Sequence, residues 1–301
     1  WWNGIWLNEA FATFMEMLAT DAFRPAWQRW VDFGLSRTAA FDVDSLASTR
    51  PIAFEVVSPA DSEGMFDVLT YEKGAAVVRM LEQWLGAEDF REGIRGYLDA
   101  HRYANTETTD LWDAIEAANP GLPVRRVMDS WIFQGGYPLL SVERTAGGVR
   151  LTQQRFGFEG GDDVTPATWS VPVLVRAGTD PTGDDAPAGA TAASSERVER
   201  TLLEGDAVEL DLGPVDWVQA NVNGSGFYRV HYDAELRSAL TARAQDVLAP
   251  VERYGLVDDT WASVLAGRID TPEFCEFAQG FATETDLAVW QRLLGALDAL
   301  D

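Results

Sequence analysis

The stretch YPLLSVERTAGGVRLTQQRF, residues 137–156, is where the hydrophobic period of the chain changes. Leu140 and Val142 alternate with polar residues, and Val149 and Leu151 do so again after a Gly-Gly pair. Alternation on both sides of a glycine-containing turn is typical of a β-hairpin. The sequence before this stretch has a helical period instead, so the chain predicts an α+β fold.

Helical patterns fill the chain from residue 1 to about residue 137. The segment GAAVVRMLEQWLG stops at Gly86, and EDFREGIRGYLDAH follows it as a short amphipathic helix. The segment TTDLWDAIEAANPG opens on Thr109-Asp110 and ends on Asn119-Pro120-Gly121, which supplies both a start and a stop signal. These signals predict several short helices that follow one another closely.

Strand-like segments continue after the hairpin as TWSVPVLVRAG, AVELDL and DWVQANVNGSGFYRVHYD, the last of which ends at Asp233. Between them, residues 178–196 are rich in Gly, Ala, Pro, Asp and Ser, a composition that predicts a mobile loop. The helical period then returns in AELRSALTARAQDVLAP and LAVWQRLLGALDALD. Because the chain opens without an initiator methionine and closes without a helix stop signal, we expect it to be cut at both ends.

Composition and charge limit the classes of function. The chain has 301 residues, enough for two or three domains, and a formal net charge of −25 from 48 acids against 23 bases. Such a surface repels nucleic acid and anionic membranes, and no apolar run has the length of a membrane span. Cys275 is the single cysteine and cannot form an internal disulfide, which favours a reducing, cytoplasmic location.

An acid interrupts the apolar opening WWNGIWLNEAFATFMEML. At 100° per residue, one broad apolar face is expected to be buried. Its members are Leu7, Ala10, Phe11, Phe14, Met15 and Leu18. Glu9 projects from the opposite side, where it must meet solvent, a cation or a metal ion. The periodicity by itself favours a solvated position for this carboxylate.

The other chemically reactive side chains predict no site by their spacing. The two histidines, His101 and His231, are far apart and form no pair at helical i, i+4 spacing, so the residues present do not spell out a zinc site. His101 ends an amphipathic helix and His231 alternates with aromatic residues in a strand, and both positions favour structural roles. Cys275 has an apolar, helical setting with no pattern that supports a thiol nucleophile.

Four collinear segments nevertheless resemble the M1 family of zinc aminopeptidases, the gluzincin exopeptidases. WWNGIWLNEAFATF is similar to the segment after that family's H-E-x-x-H motif, with Asn8-Glu9 in the place of its N-E dipeptide. FDVLTYEKGAAVVRMLE resembles the Y-x-K-G signature, with Tyr71 as the tyrosine. WIFQGGYPLLSV, from Trp131 to Val142, is similar to the stretch that leaves the catalytic domain, and NVNGSGFYRVHYD resembles the end of the following β-sandwich.

The resemblance implies a multidomain α+β fold in three parts. Residues 1–138 are expected to form the helical C-terminal lobe of a thermolysin-like catalytic domain. Residues 139–233 are expected to form a β-sandwich, and residues 234–301 the beginning of a C-terminal α-helical superhelix. The H-E-x-x-H motif and the G-A-M-E-N strand of the family are absent from this sequence and would precede residue 1.

The resemblance also reverses the interpretation of Glu9, which becomes the third ligand of a catalytic Zn²⁺, beside two histidines that the chain lacks. Tyr71 becomes the donor that stabilises the tetrahedral oxyanion. Asn8 is a supporting residue or simply a helix-start residue, and Lys73 and Gly74 are expected to be packing and turn residues. We therefore expect the parent enzyme to hydrolyse peptides with metal-activated water, and this chain alone to be inactive and to bind zinc weakly.

The implied substrates are peptides with a free N-terminus, with no nucleic acid or membrane partner. Two alternatives remain open at the level of sequence. One is a non-catalytic scaffold of the same fold, although a scaffold has no need of both Glu9 and Tyr71. The other is an epoxide-hydrolysing branch of the family, which shares the zinc site.

Overall fold

The structure is a computed structural model that describes residues 2–159, 165–179 and 195–300. The chain divides into two compact units, each assembled from separate segments. Unit 1 comprises Trp1–Pro138, Arg155–Pro172 and Ser225–Tyr228, and unit 2 comprises Leu139–Gln154, Val173–Gly224 and Arg229–Asp301. The predicted α+β layout is confirmed, because the described residues form helices, then two sheets, then helices again. The three-domain division at residues 138 and 233 stays a prediction.

Unit 1 is built from seven α-helices and one π-helical turn within the described residues. Their bounds are Ile5–Phe23 (α1), Arg29–Asp44 (α2), Pro59–Glu63 (α3), Leu69–Lys73 (the π turn), Gly74–Leu85 (α4), Ala87–Ala100 (α5), Thr108–Ala118 (α6) and Val124–Ile132 (α7). The predicted stop of α4 is confirmed, because Gly86 follows it with a φ of 99°, a conformation that glycine adopts without strain. Helix α6 begins one residue before the predicted Thr109, since the Asp110 carboxylate accepts the Glu107 backbone N–H at 2.7 Å and caps the helix there.

The strands of the described residues form two sheets. Their bounds are Pro138–Thr145 (β1), Gly148–Arg155 (β2), Val171–Thr179 (β3), Ser195–Leu203 (β4), Ala207–Asp211 (β5), Trp217–Gln219 (β6) and Arg229–Tyr232 (β7). One sheet has the order β5-β2-β1-β7 and the other has the order β4-β3-β6. The predicted hairpin is confirmed as β1 and β2, which are neighbours in the first sheet, and β7 returns parallel to β1 with Leu140 opposite Val230.

The predicted loop at residues 178–196 is wrong at both ends. Gly178 and Thr179 complete β3, where Gly178 lies opposite Trp217 of β6, and residues 195 and 196 begin β4. A side chain at position 178 would collide with the Trp217 ring, so this glycine is needed in the sheet and does not mark a loop. Strand β4 has a highly charged sequence, SERVERTLL, which hides the apolar alternation by which strands are recognised. The remaining residues of that prediction, 180–194, lie outside the described part of the chain.

Unit 2 ends in five α-helices within the described residues. Their bounds are Ala234–Ala242 (α8), Ala244–Val247 (α9), Pro250–Leu265 (α10), Thr271–Gln279 (α11) and Leu287–Asp298 (α12). Helix α10 packs against β7 and against α12, and it has buried charged side chains at both contacts. The Asp258 carboxylate is ion-paired with Arg229 of β7 and with Arg292 of α12, the second pair at 2.5 Å. No helix in the described ranges combines the length and the apolar composition that crossing a membrane requires.

Candidate active site

Helix α1 buries only part of the face that its sequence predicts. Its buried side chains are Trp6, Ala10, Phe14 and Met17, whereas Met15 of the predicted face is 41% exposed. The helix is apolar around most of its circumference, so its own sequence does not decide which stripe the neighbouring helices cover. Aromatic partners decide it: Trp6 stacks on Trp112 of α6, with ring centroids 6.2 Å apart, and Phe14 meets the ring of Phe90 in α5. Glu9 lies beside the buried stripe and is only partly exposed.

Tyr71 lies in the middle of the π turn that leads into α4. Asp67 holds the beginning of this turn, since one of its carboxylate oxygens accepts the backbone N–H groups of Leu69 at 3.0 Å and Thr70 at 3.1 Å. The same oxygen forms an ion pair with Arg50 at 2.5 Å. A π turn inserts one extra residue into a helix and is often found at functional sites, because it turns side chains away from their regular helical positions.

A close approach of two helices brings the π turn to α1. A Cβ atom on Gly74 would lie 2.6 Å from the Cβ atom of Ala10, well inside ordinary van der Waals contact. Ala10 is fully buried and is the neighbour of Glu9, so the missing side chain at position 74 lets the two backbones approach. Gly74 has helical dihedral angles, φ −57° and ψ −49°, so its predicted role as a turn residue is wrong and its role in packing is confirmed.

The structure brings the two predicted site residues together. The Tyr71 hydroxyl lies close enough to the Glu9 carboxylate to interact with it electrostatically. The pKa of Tyr71 is raised above its ordinary value because partial burial disfavours the phenolate, with further contributions from the neighbouring carboxylates of Glu9 and Glu72. The phenol is therefore a neutral hydrogen-bond donor at neutral pH, beside a carboxylate.

The remaining candidates lie elsewhere. Asn8 is exposed, and its amide donates to the Gly4 carbonyl at 3.3 Å, a local bond in the first turn of α1. His101 follows α5 and lies beside the Tyr97 ring, whereas His231 in β7 is hydrogen-bonded to Ser263 at 3.2 Å. Cys275 is a free thiol in α11.

The donor atoms of the described residues decide whether they fit a zinc ion. A catalytic zinc ion needs three protein ligands and an open position. Glu9 offers one carboxylate on a long helix, which suits one ligand position. Among the described residues, no group of three or more His, Cys, Asp and Glu side chains could hold a metal ion. The described residues thus fit one ligand of such a site and do not complete it.

Sequence reasoning missed a buried ion pair behind Tyr71. The Lys73 ammonium lies 2.8 Å from the Asp44 carboxylate, and both side chains are 0% exposed. Lys73 was expected only to be a packing residue. Asp44 is the last residue of α2, and nothing in the sequence of that helix distinguishes it from the other polar residues. Nothing in the spacing of these two residues along the chain connects them.

Comparison with known proteins adds the family to this geometry. Residues 1–131 match the model of the peptidase family M1 domain, and residues 217–301 match that of the ERAP1-like C-terminal domain. The whole chain is 35% identical to the Tricorn protease-interacting factor F2 of Thermoplasma volcanium. The chain belongs to the M1 peptidase family. The resemblance seen in the sequence is thereby confirmed.

Other M1 relatives carry the same likeness over nearly the whole chain. Aminopeptidase M1-A of Oryza sativa subsp. japonica is 35% identical over 98% of the chain, and the puromycin-sensitive aminopeptidase of Caenorhabditis elegans is 33% identical over 99%. The chain spans only about a third of these relatives, 35%, 32% and 30% of their lengths for the Thermoplasma, rice and nematode proteins. Both site residues, Glu9 and Tyr71, lie in the part that matches the M1 domain.

Proposed function

We propose that the chain is part of a zinc-dependent aminopeptidase that removes N-terminal residues from peptides, with Glu9 as the third zinc ligand and Tyr71 as the oxyanion donor. The observation that carries the proposal is the proximity of the Tyr71 hydroxyl to the Glu9 carboxylate, which the close contact between Gly74 and Ala10 makes possible. The two residues are far apart in sequence and lie on different helical segments. Family membership supports a peptidase, and so do relatives that are named as aminopeptidases.

Glu9 is suited to hold a metal ion because its position is fixed and its carboxylate remains accessible. Helix α1 is anchored through Trp6 and Ala10, both fully buried, on the turns around Glu9. A ligand held this way loses little conformational freedom when it binds a cation. When bound, zinc polarises a substrate carbonyl and lowers the pKa of a water molecule. Two further ligands must come from residues that the described part of the chain does not supply.

Tyr71 is suited to stabilise negative charge that develops on the carbonyl oxygen of the substrate. Its raised pKa keeps the hydroxyl protonated, and the hydroxyl lies near Glu9, the proposed metal ligand. A neutral donor fixed in advance stabilises an oxyanion more than the uncharged ground state, because its dipole needs no reorganisation during the reaction. The hydroxyl would donate to the substrate oxygen.

The implied substrates are peptides with a free N-terminus, since the relatives are named as aminopeptidases. The groups that would bind the free amine are not among the residues assigned in this chain. A cytoplasmic location likewise stays a prediction.

The proposal is tested by two substitutions in the full-length protein. Tyr71→Phe keeps the ring and removes the hydroxyl, so kcat should fall by about 10²–10³-fold with KM and zinc content nearly unchanged. Glu9→Gln should lower zinc content after dialysis, measured by plasma mass spectrometry, and activity should partly return in excess zinc.

Each substitution has a matched control in unit 1. Tyr97→Phe also removes a phenol hydroxyl, one that is bonded to Thr106 at 2.5 Å, and should leave kcat unchanged. Glu16→Gln changes an exposed acid seven residues further along α1 and should leave zinc content unchanged. Full kcat in Tyr71→Phe, or a full complement of zinc in Glu9→Gln, would disprove the corresponding role.

A further inference from the structure

The buried ion pair between Lys73 and Asp44 joins three parts of unit 1. Lys73 is the last residue of the π turn, and Asp44 is the last residue of α2. The Lys73 ammonium also donates to the Gly136 carbonyl at 3.1 Å. One Asp44 oxygen accepts the Gly136 N–H at 2.9 Å and the Thr49 hydroxyl at 2.7 Å. The pair thus ties the turn that carries Tyr71 to α2 and to the segment after α7.

Burying such an ion pair in a protein interior is energetically unfavourable. Removing both charges from water costs several kcal/mol per ion, and replacement by apolar residues of similar volume is often neutral or stabilising. Burial lowers the pKa of Lys73, and the charge of Asp44 opposes that effect. A contribution to overall stability therefore explains the pair poorly. The directional hydrogen bonds of Lys73 and Asp44 to Gly136, which fix where the turn ends, explain it better.

The π turn is held at both ends by charged groups, with Tyr71 between them. At its start, Asp67 accepts two backbone N–H groups and is paired with Arg50. At the end of the turn, Lys73 is ion-paired with Asp44, and both side chains are fully buried. The hydrogen bonds of a π turn span one residue more than those of an α-helix, so loss of that extra residue from the turn gives the α form. Such a change would rotate the Tyr71 side chain relative to α1.

We propose that Lys73 and Asp44 are positioning residues, which hold the end of the π turn so that the Tyr71 hydroxyl reaches Glu9. The proposal rests on the proposed function, since it assigns the pair an effect on catalysis only through Tyr71. Neither residue touches the substrate. The Gly136 backbone is the third member of the arrangement, because it bonds to both charged groups.

The test is a double-mutant cycle in the full-length protein. Asp44→Asn with Lys73→Met removes both charges together and keeps the acceptor for Gly136 and Thr49 and most of the lysine volume. We expect kcat to fall by about 10–100-fold with KM nearly unchanged, since a displacement of about 1 Å can cost two orders of magnitude. In a Tyr71→Phe background the same pair of changes should lower kcat by less than about 2-fold, because the hydroxyl that they position is already gone.

A second readout needs no bound metal and no activity. Hydrogen exchange of the backbone amides of residues 69–73 should be at least about 10-fold faster in the pair variant, while that of α4 beyond the turn is unchanged. The matched control is Arg79→Met with Glu82→Gln, which removes another ion pair of unit 1, at 2.8 Å and largely buried. That control should alter neither kcat nor exchange at residues 69–73.

Thr49→Val serves as a milder variant if the pair variant does not fold, because it keeps both charges and removes one bond to Asp44. It should lower kcat by about 3–10-fold, an effect that also vanishes in the Tyr71→Phe background. A loss of kcat that is the same with and without the Tyr71 hydroxyl overturns the positioning role, and so does unchanged exchange at residues 69–73. If Tyr71→Phe alone keeps full kcat, the role of Tyr71 itself fails, which is a different result.

Discussion

The contact between Gly74 and Ala10 gives a prediction that depends on packing alone. In Gly74→Ala the new Cβ atom would lie 2.6 Å from the Cβ atom of Ala10, where ordinary contacts begin at 3.4 Å, so α1 and α4 must separate by almost 1 Å. Overpacking of this kind costs about 1–3 kcal/mol, and the better helix propensity of alanine returns about 1 kcal/mol. We therefore expect Gly74→Ala to change the free energy of unfolding by about 0–2 kcal/mol in the destabilising direction.

The sign of that effect should reverse when Ala10 is first replaced by glycine. Ala10→Gly alone should destabilise by about 2 kcal/mol, from lost helix propensity and a lost buried methyl group. It also removes the clashing atom, and the next atom that a Cβ at position 74 meets is the Ala10 Cα at 3.7 Å, an ordinary contact. In this background Gly74→Ala should stabilise the protein by about 1–2 kcal/mol.

The assay is urea unfolding of the four proteins of the cycle, followed by far-ultraviolet circular dichroism. The coupling free energy between the two positions should be about 1–4 kcal/mol in favour of the double variant. If Gly74→Ala has the same sign and size in both backgrounds, the two helices do not touch at this point. The explanation for the approach of Tyr71 to Glu9 would then be wrong.

Three further predictions concern buried charge in unit 2. The pKa of His231 is lowered to about 4, chiefly by burial. The resulting stability is fully present above the unfolded pKa of about 6.5 and is lost as the pH falls towards 4, by up to about 3 kcal/mol. His231→Gln should therefore flatten the dependence of the urea midpoint on pH in this range. Burial alone would raise the pKa of Glu284, but hydrogen bonds from Arg253 and other groups outweigh it and lower the pKa to about 2. Glu284→Gln should therefore lower the free energy of unfolding by about 1–3 kcal/mol at pH 7. The loss should shrink as the pH falls from about 4.5 towards 2. Asp258→Asn leaves Arg229, which is buried, and Arg292, which is partly buried, undercompensated and should cost about 3–5 kcal/mol in the same urea assay.

Each of these has an outcome that contradicts it. An unchanged acid slope in His231→Gln would mean that the imidazole has the same pKa in the folded and the unfolded protein. A pH-independent loss in Glu284→Gln would point to lost packing instead of lost charge. For Asp258→Asn the control is Asp99→Asn, whose exposed pair with Arg102 should contribute less than about 0.5 kcal/mol; equal losses would refute the argument from burial.

The sequence by itself determined much of the local structure and the kinds of side chain present at the candidate site. The stop at Gly86, the hairpin around residue 147 and the return of helices after residue 233 all follow from signals within a few neighbouring residues. Glu9 and Tyr71 were selected by resemblance to a family and not by spacing, because a single acid and a single phenol carry no periodic signal. The segment at 178–196 shows the limit of local reading, since Gly178 is needed for contact with a distant tryptophan.

Only the tertiary structure decided which side chains meet. Helix α1 is apolar on most sides, and the rings of Trp112 and Phe90 select the face that is buried. The pairing of Lys73 with Asp44 and the approach of Tyr71 to Glu9 join residues from different helical segments. The physical reason is that a helix or a turn is specified by bonds between near neighbours in the chain, whereas the partner of a buried charge or phenol is specified by how whole helices pack.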